Sequence, residues 1–209
     1  MNDNEDVPIR DAATVILLRE KKDSKYVLMG QRGNKAVFMP SKYVFPGGAV
    51  DEDDSKVKLF KSIDEKGIDL LHQYSKKKIA KELCVAAIRE LWEEAGLRLC
   101  TKVEDVGTIS PGWEDFCNST FLPDASNLEY VFRAITPPGR PRRFDARFFI
   151  CRAENIHGNL DDFSSASTEL SHLHWIDINE VKEIIKGGPN KKGVPFFKHG
   201  ASSDFIFIS

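Results

Sequence analysis

Apolar residues run in short continuous or alternating stretches toward both ends of the chain and at a helical spacing between them. "DAATVILLRE", residues 11–20, is rich in β-branched and aliphatic side chains and predicts a largely buried strand. "KYVLMGQR" is its expected partner, with the charged "EKKDSK" as the hairpin turn. In "SKYVFPGGAVDEDDS", Pro46, Gly47 and Gly48 are expected to stop a short strand and open a tight loop that exposes backbone. From about Val57 to Leu97 the pattern is helical, with an interruption predicted near Gly67. Strand composition returns in "KVEDVGTI", "LEYVFRAI", "RFDARFFICRA" and "LHWIDI", and "INEVKEIIKGG" predicts a short helix with glycines at its C-terminal end. Strands on both sides of a long helix, followed by a final helix, predict an α/β fold: a mixed sheet covered by helices on its faces.

Composition adds bounds to this picture. A chain of 209 residues with 41% hydrophobic and 30% charged residues is long enough for one substantial core, so a single soluble domain over 10–209 is expected, after a mobile N-terminus at 1–9. Thirty basic residues against 32 acidic give a net charge of −2, which predicts no general attraction to nucleic acid or membrane. Any anion binding must then be local. Cys84, Cys100, Cys117 and Cys151 form no CxxC pair and no Cys/His cluster at zinc spacing, and are expected to be reduced thiols of a cytoplasmic protein. "MNDNEDVPIRD" lacks the charged and apolar regions of a signal peptide, and the chain has no apolar run long enough to cross a membrane.

The helical region ends in "IRELWEEAGL", residues 88–97. Cys84, Ile88, Leu91, Trp92 and Ala95 fall on one stripe, a core-facing surface. Glu90, Glu93 and Glu94 lie opposite, with Leu83 and with Ala86 and Ala87, whose small side chains leave room in front of the carboxylates. Gly96 is placed as a C-cap. Two readings follow. One is a solvated acidic face in which Arg89 pairs with Glu93 at i, i+4. The other is a divalent-cation site: Arg89 is the one cation near three acids, which sit toward the helix C-terminus, where the macrodipole disfavours negative charge. Clustered carboxylate oxygens suit Mg²⁺ or Mn²⁺.

"RELWEEAG" followed by Leu97 resembles the second half of the Nudix hydrolase box, Arg-Glu-aliphatic-x-Glu-Glu-x-Gly-aliphatic, at every specified position, and "FPGG" upstream agrees with that family's order of elements. The first half of the box is not contiguous with it. Counting back from Arg89 places Lys81 and Ser75 where the family has Glu and Gly, whereas counting forward from Gly48 passes five residues to Asp54. In that register the segment of about 55–81 is a helical insertion, and Glu82, one position out of register, is a second acid near the site. A box split in this way resembles the coenzyme A-directed branch of the family, including its peroxisomal members and their bacterial relatives.

The resemblance implies a Nudix-type α/β/α sandwich around a mixed sheet, with the half-box on the catalytic helix. It also implies hydrolysis of a diphosphate linked to another group, by water attacking phosphorus with more than one Mg²⁺ or Mn²⁺ bound. Carried over by position, Glu90, Glu93 and Glu94 are the metal ligands and share the role of base, and Arg89 orients Glu93 or Glu90. Glu169, in "SSASTELSHLHW", is the candidate for the further acid that several members carry on a later loop.

For the substrate, "RAITPPGRPRRFDARFF" gathers Arg133, Arg140, Arg142, Arg143 and Arg147, and its "RFDARFF" resembles a segment after the box in coenzyme A-type members. Arg143 and Arg147, with Arg32 and the backbone at Gly47 and Gly48, are the expected substrate contacts. Lys76–Lys78 would meet a 3′-phosphate or form a solvated turn, and Trp113, in a Gly/Pro-bounded loop, is a candidate to pack on adenine. The expected partner is a small nucleoside diphosphate derivative, best coenzyme A or acyl-CoA, with ADP-ribose, NADH or a nucleotide sugar as alternatives; a homodimer is left open. From a different class, a non-catalytic Nudix-fold binding module would bind nucleotide without needing Mg²⁺ and without turnover.

Overall fold

The computed structural model of the chain describes residues 7–32, 43–73 and 75–185. The central strand is β1 (Ile9–Lys21), which begins inside the stretch expected to be mobile. It turns at Lys22, φ 56°, into β2 (Ser24–Arg32), and the two pair antiparallel from Leu18 opposite Val27. The other long edge of β1 runs parallel to β8 (Arg143–Arg152), from Ile9 opposite Arg143 to Leu18 opposite Arg152. Outside it, β7 (Glu129–Ile135) pairs antiparallel with β8. On the opposite side β3 (Tyr43–Val44) and β9 (Leu170–Asp177) pair with β2, and β4 (Gly47–Ala49) pairs with β1 through Ala12–Thr14. The sheet is therefore mixed. Two short strands, β5 (Cys100–Lys102) and β6 (Phe121–Pro123), pair apart from it.

Alternation along the strands builds a core on each face of the sheet. Ala13, Val15 and Leu17 of β1 and Phe149 and Cys151 of β8 point into the main core under α2 (Ala80–Ala95). Ala12, Phe144, Ala146 and Phe148 point the other way, and toward the β2 edge that face carries Val27, Met29 and Ile176 against Ile178 and Val181 of a C-terminal helix, Ile178–Ile185. The result is helix, mixed sheet, helix.

Three expectations change. Gly67 lies inside α1 (Glu65–Gln73), not at a break: its N–H bonds Asp64 Oδ1 at 2.8 Å in the first turn, where backbone donors lack helical partners. The break comes between α1 and α2. "KVEDVGTI" is a strand only at Lys102, because Asp105 turns the chain by accepting from the Gly107 N–H, and Gly107 has φ 67°. Gly47 and Gly48 do not form a loop but lie in β4, where the absence of side chains lets the strand lie against its neighbours. Of the two readings of the acidic side of α2, a face solvated as a whole is excluded, since Leu83, Ala86 and Ala87 on that side are buried, as are Cys84, Ile88, Leu91 and Ala95 of the predicted stripe, with Trp92 partly buried. The glycines placed after the last helix lie outside the described residues. All four cysteines are free thiols.

Candidate active site

The site is built where α2 crosses β4. The Gly47 N–H donates to Glu94 Oε2 at 2.8 Å, and a Cβ on Gly48 would fall inside the Glu90 carboxylate. Two carboxylates thus rest directly on strand backbone, which only glycine permits here. Glu94 is 1% exposed, and its Oε1 has no hydrogen-bond partner among the described residues. A buried carboxylate oxygen left without a donor is costly, so this atom marks a place where a positive group belongs.

Arg89 gathers the remaining acids. Its Nη1 donates to Glu90 Oε1 at 2.8 Å and to Glu93 Oε2 at 3.3 Å, and its Nη2 donates to the Ala49 carbonyl at 2.9 Å. Its Nε and Nη2 hold Asp54 Oδ1 and Oδ2 at 2.9 and 3.1 Å, a two-pronged pair. Asp54 is 2% exposed and comes from a 3-10 turn, Glu52–Lys56, where the Asp51 N–H also donates to it at 2.8 Å. Asp54, and not Glu82, is therefore the acid that meets Arg89. Asp51 joins the cluster with Oδ2 3.7 Å from Arg89 Nη2. Asp51 is not among the residues expected from sequence, where its one signal is the acidic run "DEDD".

Burial sets the proton state. Desolvation pushes Glu90 up to about 7, against the pull of Arg89 and with help from the charges of Glu93 and Glu169. Glu94 is raised well above the usual carboxylate range by burial and by Glu90, with the Gly47 N–H and Arg32 opposing. Glu93, half exposed, is raised by burial against Arg89. Burial works against the charge of Arg89, but Asp54, Glu90 and Glu93 more than offset it and move its pKa up. Near neutral pH the cation-free site thus holds protons that a metal ion would displace.

The other expected residues divide. Glu169, exposed just before β9, acts electrostatically on Glu90 and Glu94 and belongs to the cluster. Its loop is pinned to α2 by the Ser167 N–H on the Glu93 carbonyl at 2.7 Å. Arg32 ends β2 within electrostatic reach of Glu94, and its buried Nε and Nη1 have no partner among the described residues. Arg147, opposite Ala13 and of the same parity as Phe149 and Cys151, lies on the α2 side of the sheet. It is 1% exposed and bonded to Asp11 Oδ1 and the Asp145 carbonyl, both at 2.6 Å, because a buried guanidinium needs local acids. Arg143 stands opposite Ile9, about 13 Å along β1 from the Ala13–Gly48 pair at strand rise, and donates to the Thr136 carbonyl. Arg133 pairs with Asp145 at 2.6 Å, and Lys77 with Asp11 at 2.6 Å. Trp113 is 6% exposed, edge-on to Phe116 at 4.9 Å between centroids, which makes it core and unavailable to adenine.

Among the described residues no three His, Cys, Asp or Glu side chains already stand in ligating geometry, because Glu90 and Glu93 turn onto Arg89 and Glu94 onto Gly47. The donor set nevertheless fits a hard divalent cation in kind: the acids gathered here offer carboxylate oxygens, and among the described residues the buried Glu94 Oε1 has no partner.

No protein-family model matches the chain. It is 29% identical over 199 residues to "Putative nudix hydrolase 7" of Caenorhabditis elegans, an alignment that takes in 86% of this chain. The chain spans 55% of that relative's length. Among solved structures, a NUDIX hydrolase from Alicyclobacillus acidocaldarius superposes with a TM-score of 0.65 at 25% identity, over 87% of this chain and 85% of its own. The fold is that of the Nudix hydrolases.

Proposed function

From the Nudix fold as premise, we propose that the protein is a divalent-metal-dependent hydrolase of a diphosphate bond in a small nucleotide-derived substrate. The observation that carries this reading is the unpartnered buried oxygen of Glu94 beside Glu90, with Arg89 as the hub of the surrounding acids. Glu90, Glu93 and Glu94 would hold Mg²⁺ or Mn²⁺, which when bound neutralises phosphate charge and lowers the pKa of a bound water. Arg89, fixed from behind by Asp54, sets the orientation of Glu90 and Glu93. Glu93 and Glu169 are the members exposed enough to take a proton from an attacking water. The water oxygen bonds to phosphorus as the bond to the bridging oxygen breaks, and the departing phosphate keeps that electron pair. Arg32, whose Nε and Nη1 have no partner among the described residues, is our candidate to meet a phosphate oxygen.

Coenzyme A or an acyl-CoA is the substrate we favour, on the split of the box between Gly48–Asp54 and Arg89–Leu97, bridged here by the Asp54–Arg89 pair. The test is a panel of coenzyme A, acyl-CoA, ADP-ribose, NADH and a nucleotide sugar with Mg²⁺ and with Mn²⁺. Release of 3′,5′-ADP and 4′-phosphopantetheine from coenzyme A supports the choice. Faster turnover of ADP-ribose or NADH overturns it and keeps the site, whereas metal-independent binding without turnover returns the binding-module reading.

A further inference from the structure

Asp54 and Arg89 arrive from elements separated by the insertion, and a lysine joins those elements. The 3-10 turn that carries Asp54 is a short one, and its last carbonyls need donors from outside. The Ser55 carbonyl accepts from Lys81 Nζ at 2.7 Å, and the Lys56 carbonyl accepts from Ser110 Oγ at 3.2 Å. Lys81 is in the first turn of α2, at the position where a contiguous box carries its acid. A helix rise of about 1.5 Å per residue puts position 81 about 12 Å from Arg89 along the axis. The acid that meets Arg89 comes instead from the turn.

We propose that Lys81 is a positioning residue. Its ammonium fastens the turn to α2 across 26 residues of chain, so that Asp54 stays locked on Arg89 and Arg89 in turn holds Glu90 and Glu93. This rests on the metal-site reading given above, and its test includes a readout that needs no metal. Lys77, four residues before Lys81 but with its ammonium on Asp11 and not on the turn, serves as a control.

The experiment is solvent exchange of the Arg89 Nε–H by NMR on the intact, metal-free protein. In Lys81→Met this exchange should quicken by about threefold, the size expected for loss of one exposed hydrogen bond. It should stay at the wild-type rate in Lys77→Met and return to it in Lys81→Arg. Asp54→Asn should quicken it further, and the double variant should exchange no faster than Asp54→Asn, since Lys81 acts through Asp54. An unchanged rate in Lys81→Met, or additive effects in the double variant, overturns the proposal. Mn²⁺ affinity by electron paramagnetic resonance should fall in parallel. A wild-type protein that binds no Mn²⁺ overturns the metal reading and leaves Lys81 to be decided by the exchange rates.

Discussion

Replacing Gly47 and Gly48 by alanine, one at a time, puts the same methyl group on adjacent residues and should produce opposite failures. Neither glycine has a positive φ, so the added carbon and not backbone strain decides each outcome. At Gly47 it would stand 2.6 Å from the Ala13 carbonyl oxygen and 2.7 Å from Thr14 Cα, both backbone atoms of β1. Relieving this means prying β4 from β1 and losing the Gly47 N–H bond to Glu94. Overpacking and loss of a buried hydrogen bond together cost about 3–5 kcal/mol. For a chain of this size that lowers Tm by roughly 10 °C. At Gly48 the three atoms nearest the carbon all belong to the Glu90 carboxylate, the far end of a flexible side chain. Glu90 swings away and gives up its 2.8 Å bond to Arg89, which costs about 1 kcal/mol, or roughly 3 °C. Mn²⁺ affinity should meanwhile drop about tenfold or more, as expected when a metal site is misoriented. Differential scanning fluorimetry and Mn²⁺ titration measure the two effects. A Gly47→Ala protein as stable as wild type, or a Gly48→Ala protein that binds Mn²⁺ normally, would refute this account of how β4 seats the carboxylates.

Other outcomes follow from the same geometry. The pKa values of Glu90 and Glu94 are raised by folding, so the folded state holds extra protons, and the stability they lend is full below about pH 4.5 and fades as pH rises through the folded values, about 7 for Glu90. Metal-free Glu94→Gln, which keeps an acceptor for Gly47, should therefore melt above wild type at pH 8 by a margin that shrinks at pH 5; equal margins at both pH values would show that Glu94 is not protonated by burial. Mn²⁺ affinity should climb with pH through about 7, with proton release visible by calorimetry in two buffers of different ionisation heat. Arg147→Met should cost about 3 kcal/mol by leaving Asp11 and Asp145 short of a partner, yet leave Mn²⁺ affinity unaltered. Glu169→Gln, at an exposed position, should leave Tm within about 1 °C and slow turnover by about 10²-fold if it takes the proton.

Much of the fold is written in local pattern. The aliphatic run of β1, the alternation of β8 and the helical spacing of α2 each announce an element, because one face must be buried. The half-box on α2 likewise carries its chemistry in consecutive residues. What local pattern hid were facts of register and depth. Nothing in "RFDARFF" shows that Arg147 is buried and bonded to Asp11, a residue 136 positions away. Gly47 and Gly48 look like a turn until β1 and Glu90 are known to lie against them. Trp113 sits in a Gly/Pro-bounded stretch yet reaches into the core beside Phe116. The link from Asp54 to Arg89 was visible only as a count from Gly48, and its physical basis, a buried acid held at both oxygens, needed the third dimension.

The central claim is that the carboxylates on α2 form a metal site that cleaves a diphosphate, and Glu94 is its most buried member. The most direct measurement is phosphohydrolase activity of wild type and Glu94→Gln across a Mg²⁺ and Mn²⁺ titration, with coenzyme A and ADP-ribose as substrates. The account predicts turnover in wild type that vanishes with EDTA, returns with added metal, and falls at least about 10³-fold in Glu94→Gln while that variant stays folded. Metal-independent turnover, or full activity in Glu94→Gln, would contradict it.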